Sequence, residues 1–239
     1  MAQNTGNAKN ILVGASPLFL SVDDSTAAGY VDNMEPGVAR TGTAASGAVK
    51  PSTKVPAFNT ATSYIPTLNA LDTNAAGGAD AAAYRNVGYT NNGLQITYNP
   101  SYGSVTVDQL LDTAKLFKES MEVMIATEMA EGTLENILVV FGQGKSTLNS
   151  GVLGLEAGAL GAAPTERQLI AVGQAPTTSS ATSERVYYAR RVLSVQQSQF
   201  SLARNAASTF PVTFRLLPDG SKAGQEYGFI VDRVLNKTA

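Results

Sequence analysis

The stretch SMEVMIATEMAEGTLENILVVFG, residues 120–142, carries two periodicities in succession, and the fold turns on where the first gives way to the second. From Ser120 the side chains alternate. Met121, Val123, Ile125, Thr127 and Met129 fall on one side, and Glu122, Met124, Ala126 and Glu128 on the other. A helix over the wider segment 107–131 is also open, with Leu110, Leu111, Ala114, Phe117, Met121, Met124 and Ile125 on one face. Helix propensity favours that reading. The period of two, which keeps both glutamates together, assigns 120–130 to a strand and leaves 108–118 partly loop. After Ala130 the pattern changes. Thr133 is placed to cap a helix, Glu135 sits at its positive end, Leu134, Ile137, Leu138 and Phe141 make an apolar stripe, and Gly142 supplies the stop. The spacing predicts one short amphipathic helix over 133–141, packed on a sheet.

Working outward, GLQITYNP (residues 93–100) alternates Leu94, Ile96 and Tyr98 against Gln95, Thr97 and Asn99. A turn at Pro100-Ser101-Tyr102-Gly103 would lead into SVTV and close a hairpin. Downstream, RQLIAVGQ, RVYYARRVLSV, QSQFSLAR, PVTFRLL and EYGFIVDRV are β-rich runs separated by loop residues. In PVTFRLL the inward positions are Val212, Phe214 and Leu216, and in EYGFIVD they are Tyr227, Phe229 and Val231. Many short strands with one helix predict a mainly β chain, a β-sandwich or barrel forming a single domain over residues 1–239. Two long segments interrupt it. Residues 25–83 and 147–166 are rich in Ala, Gly, Thr, Ser and Asn, poor in charge and without periodicity. Such segments suit loops laid against another protein surface as well as they suit a floppy insertion.

Composition removes several chemistries. The chain has no Cys, no His and no Trp, which excludes disulfides, thiolate metal sites, cysteine nucleophiles and the Ser-His triad. Only carboxylate, Lys, Ser, Thr and Tyr chemistry remains. Seventeen basic residues against nineteen acidic ones, a formal charge of −2, do not make a sequence-independent nucleic-acid binder. The run ILVGASPLFLSV is too short to span a bilayer, contains Pro17 and lacks a cleavage pattern behind it, so it reads as one or two short strands of a protein kept in the cytoplasm.

FGQGKSTLNSG (residues 141–151) looks at first like a phosphate-binding loop. That loop needs its first glycine five residues before Gly144-Lys145-Ser146, where this chain has Val139. A helix stop followed by a surface turn accounts for it. Asp23-Asp24 reads as a solvated turn rather than a cation site. Arg190-Arg191 in a strand point to opposite faces and form no basic patch. Glu122 and Glu128 share one strand face, either solvated or part of an assembly surface. No residue is assigned a catalytic, cofactor or metal role; Lys145 carries the only weak motif for an enzyme.

Taken together, YRNVGYTNNGLQITYNPSYGSVTVDQ, SMEVMIATEMAEGTLENILVVFG, RVYYARRVLSVQQSQFSLARNAASTFPVTFRLLPD and YGFIVDRV resemble the major tail (tail tube) proteins of long-tailed bacteriophages. The matching positions include Gly88, Gly93, Pro100, Asp108, Thr133, Leu134, Glu135, Asn136, Pro211 and Phe214. The resemblance spans about residues 84–142 and 184–234; the 25–83 segment is longer than the family's linker there. It implies a tail tube fold, a β-sandwich with one flanking helix, whose copies join into rings of six that stack into a hollow tube for DNA. It also implies no cofactor, a virion location after synthesis in the bacterial cytoplasm, and no membrane insertion. The implied partners are further copies, other tail proteins (tape measure, tail tip, terminator) and DNA passing through without specific binding. Glu122 and Glu128 are then candidates for the lumen face, and 25–83 and 147–166 for contacts between rings. The other reading is a different β-rich virion protein, such as a capsid decoration or tail terminator protein.

Overall fold

The computed structural model describes residues 16–21, 84–106, 112–144, 147–157, 160, 165–176, 183–195, 198–200, 204 and 207–234. The 25–83 segment, Asp23, Asp24, Asp108 and Lys145 lie outside them. The elements are β1 (Leu18–Ser21), β2 (Tyr84–Asn86), β3 (Thr90–Thr106), β4 (Thr113–Met129), α1 (Leu134–Val140), β5 (Leu148–Asn149), β6 (Val152–Leu153), β7 (Arg167–Gln174), β8 (Ser183–Ser194), β9 (Phe210–Leu216) and β10 (Gly228–Val234). The chain is mainly β. Eight strands form one antiparallel sheet in the order β2-β1-β7-β8-β9-β4-β3, with β10 also paired to β8.

Strand β8 is long enough to hold two neighbours on one side. Its Ser183–Ala189 half pairs with β10, and Val192–Ser194 pairs with β9. The sheet therefore forks at β8 into a β9-β4-β3 prong and a β10 prong. One core joins Leu18 and Leu20 of β1, Ile125 and Met129 of β4, Leu138 of α1 and Phe214 of β9. A buried aromatic such as Phe214 contributes about 2–3 kcal/mol by leaving water, which is why these alternating positions face inward.

The alternation expected for 120–130 is present: Val123, Ile125, Thr127 and Met129 are buried, whereas Glu122, Met124, Ala126 and Glu128 are half-buried on the opposite face. Val212, Phe214 and Leu216 are buried as expected. Tyr227, Phe229 and Val231 are only half-buried, because β10 is an outer strand with one strand neighbour among the described residues.

Other expectations are corrected. There is no turn at residues 100–103; β3 runs straight through for 17 residues, and Pro100 lies opposite Met121. Met121 turns its carbonyl away from β3 to accept the Tyr227 hydroxyl at 3.3 Å, so Pro100 and Met121 form a non-hydrogen-bonded pair. The missing N–H of Pro100 then faces the open side of an edge strand, where proline is tolerated. Residues 113–118 are strand rather than loop, because the extended β3 gives them a partner. Ser198–Phe200 in QSQFSLAR are not strand; the Phe200 ring packs 4.7 Å from that of Phe210 and 6.3 Å from that of Phe141.

The helix has the expected ends but a different buried face. The Thr133 hydroxyl accepts from the Asn136 N–H at 3.3 Å. Gly142, at φ 66°, donates to the Val139 carbonyl while Gln143 donates to Leu138, a left-handed helix stop. Asn136, Leu138, Val139 and Val140 are buried, Leu134 and Ile137 are half-buried, and Phe141 is exposed. The 147–166 segment is not wholly irregular: β5 and β6 form a small hairpin whose turn residues, Ser150 and Gly151, have φ 49° and 79°.

Candidate assembly surface

Strands β3 and β4 are each 17 residues long, yet β9 covers β4 only from Met124 to Met129. Thr113–Ser120 and most of β3 are exposed on both faces, so the hairpin projects as an arm. Two register shifts, at Ser101/Tyr102 and Val105/Thr106, twist it. In the outer part, Phe117 lies opposite Gly103, where a Cβ would collide with the Glu119 carboxylate and the Phe117 ring, so the missing side chain makes room for both.

The base of the arm is held by polar contacts that only the fold assembles. Gly88, at φ 82°, lies against the Glu131 carboxylate, and the Tyr89 N–H donates to Glu131 Oε1 at 2.9 Å. Asn136 is fully buried; its Nδ2 donates to the carbonyls of Val87 (2.9 Å) and Glu131 (2.8 Å), and its Oδ1 accepts from Arg85 Nη1 at 2.6 Å. At the Asn91/Gln95 irregularity, Gly93 takes φ 66°, and its carbonyl accepts from the Thr127 hydroxyl at 2.9 Å.

Three features leave this region unfinished as a surface. The outer edge of β3 has no strand partner among the described residues, and its 17 residues carry no charged side chain. Edge strands are usually guarded by charges, so this one has little besides Pro100 and its bulges to discourage a further strand. Between the prongs lies a groove of about 750 Å³, lined by Ile96, Tyr98, Met121, Tyr227, Phe229 and Ile230 among others. Beyond it, Tyr102, Val105, Leu116 and Phe117 are exposed, Leu116 to 65%.

Several charged groups have structural roles. Arg185 holds Asp232 through two hydrogen bonds of 2.6 and 2.8 Å, which keep the Asp232 carboxyl below the usual carboxylate range and raise the guanidinium. One residue along, Arg233 and Glu184 form a buried pair at 3.1 Å. These crossed pairs fix β10 on β8. Asp219 is lowered by hydrogen bonds from Ser221 in the loop before β10.

Glu122 and Glu128 lie on the face away from the core, as their spacing predicts. Arg215 lies 3.6 Å from Glu122, and Asn91 donates to Glu128 at 3.3 Å, so the face is mixed rather than purely acidic. Pro211 lies opposite Glu128 on β9, and Leu134 and Glu135 open α1. At the phosphate-loop lookalike, the Gly144 carbonyl accepts from both the N–H and the hydroxyl of Thr147. Arg190 and Arg191 do diverge: Arg190 is buried and donates to the Gln225 carbonyl, while Arg191 grips Glu166 at 2.6 and 2.7 Å. Sequence reasoning missed the Tyr227–Met121 contact, the Glu184–Arg233 pair and the projecting arm. The absence of charge along residues 90–106 was the one available sign of the arm.

Among the described residues no group of three or more acidic side chains gathers to hold a metal, and no helix is long and apolar enough to cross a membrane. No protein-family model matches the chain, and no curated protein matches it.

Proposed function

We propose that this chain is a structural virion subunit that polymerises with further copies into the hollow tail tube of a long-tailed phage, through which DNA travels. The observation that carries the reading is the uncharged, 17-residue open edge of β3 on a projecting arm. An edge of that length is a template for another chain, and joining it to a neighbour removes the exposed backbone groups. The absence of His and Cys, together with charged side chains engaged in structural pairs, fits a scaffold better than an enzyme. The pattern resemblance supplies the ring and tube. In that assembly Glu122 and Glu128, on the face opposite the core, line the lumen; with Arg215 beside Glu122 the wall presents mixed charge that DNA can pass without sticking. Tail-tip, tape-measure and terminator proteins would be its partners at the tube's ends.

Negative-stain electron microscopy of the purified protein at rising concentration tests this. Hollow tubes or six-fold rings are expected. Monomers that stay monomeric both alone and in the presence of a tail-tip template would overturn it.

A further inference from the structure

The chain's one Asn-Gly pair, Asn92-Gly93, does not form a hairpin turn, of which that dipeptide is the usual signal, but lies inside β3. The register gives the reason. Asn91 lies opposite Glu128 and Gln95 opposite Ala126, so Asn92, Gly93 and Leu94 share the single partner Thr127. The extra chain is taken up by Asn92 and Gly93, which adopt φ 61° and 66° in succession. Glycine and asparagine take that left-handed conformation at the least cost. The bulge therefore favours the dipeptide whose side-chain amide is chemically the most labile, because a glycine nitrogen, with no Cβ beside it, has the freest approach to the carbonyl of the preceding side chain.

The surroundings leave that chemistry open. Asn92 and Gly93 are both exposed, and a Cβ at Gly93 would meet no atom within 4 Å. Beside them is a small pocket of about 130 Å³ whose lining includes Gln95, Thr127, Glu128 and Thr213, and which has room for several waters at about 30 Å³ each. Among the described residues no other asparagine combines these features. Asn136 is buried, with its amide bonded to two carbonyls and Ile137 behind it. Asn91 gives its amide to Glu128, and the exposed Asn149 is followed by Ser150, whose hydroxyl donates to its Oδ1.

We infer that Asn92 is a site of spontaneous deamidation in the folded protein. The Gly93 amide nitrogen loses its proton to solvent base and bonds to Asn92 Cγ; the Cγ–Nδ2 bond breaks, ammonia leaves, and a cyclic imide closes. Water then opens the imide at either carbonyl. Attack at Cγ leaves aspartate, whereas attack at the main-chain carbonyl carbon leaves isoaspartate, with the chain routed through Cβ and Cγ. Either product adds one negative charge to the formal −2, at a pocket that already holds the Glu128 carboxylate. Isoaspartate also lengthens the bulge next to the hydrogen bond between the Thr127 hydroxyl and the Gly93 carbonyl. The modification acts at the base of the arm and is independent of the tube reading.

Peptide mapping by mass spectrometry tests this on the folded protein held at mildly alkaline pH and physiological temperature, with fragmentation that separates isoaspartate from aspartate. A gain of about 1 Da at position 92, from –NH2 to –OH, is expected, faster than at Asn149 by about tenfold. The rate should rise with pH, because the attacking nitrogen must lose a proton. Conversion at Asn149 as fast as at Asn92 would overturn the inference. So would a rate at Asn92 about a hundredfold or more below that of the same chain unfolded in urea, since the left-handed bulge would then be holding the nitrogen away from Cγ. Asn92→Asp supplies the charge without lengthening the chain, and aspartate tolerates the same conformation. On anion exchange the aged protein should yield a species eluting with that variant; a chain that stays at the parent's position throughout would count against the charged product.

Discussion

Asn136 shows how much a single polar side chain does here. It occupies the third position of α1, is fully buried, and uses its amide to close two backbone carbonyls while accepting from Arg85. Asn136→Ala would leave the carbonyls of Val87 and Glu131 without that donor, at a cost of about 2–4 kcal/mol by the penalty for unpaired buried groups; urea unfolding followed by circular dichroism measures it. Asp232 makes a pH-dependent contribution. Its carboxyl is lowered by the Arg185 hydrogen bonds, so its folded value lies below the unfolded one of about 4. The pair therefore stabilises above pH ~4, and the stabilisation is lost as pH falls through the folded value. With the Asp232 side chain 52% exposed, the effect is below about 1 kcal/mol. Asp232→Asn should lower Tm at neutral pH, and its difference from the parent should shrink to nothing in acid.

At the scale of elements, termini are settled by local chemistry and lengths by partners. Gly142 ends α1 in a left-handed conformation, so Gly142→Ala should cost about 1 kcal/mol, readable as a fall in Tm. Strand β10 is different. Among the described residues it has one strand neighbour, to which the pairs Arg185–Asp232 and Arg233–Glu184 tie it. Because the second pair is buried, Glu184→Gln removes one charge and leaves the other, at a cost of roughly 3 kcal/mol. Amide exchange should localise the loss to β10 and its half of β8, with β3 and β4 unchanged. Uniform loss of protection would show that β10 is not a separate cooperative unit.

For the whole molecule, the fork at β8 and the length of β4 decide the shape. They leave a long arm, a groove and an uncharged edge that has no strand partner among the described residues. Converting Thr97 and Ser104 of β3 to Lys should block strand addition and abolish polymer growth while leaving the unfolding free energy within about 1 kcal/mol of the parent, because both sites lie on the exposed arm. Light scattering against concentration separates the two effects.

The mainly β class, the buried face of residues 123–129, the inward set of β9 and both ends of α1 were legible from sequence, because each depends on neighbours within a few positions. Alternation and capping are local. The turn expected at Pro100 was not, since whether proline ends a strand or sits on its open edge depends on what lies opposite, here Met121 and beyond it Tyr227. The same holds for the strand at 113–118, which exists because β3 continues beside it. Tertiary structure alone decided the fork and the buried pair of Glu184 with Arg233. These arise from residues far apart in the chain, whose meeting is fixed by sheet order rather than by spacing.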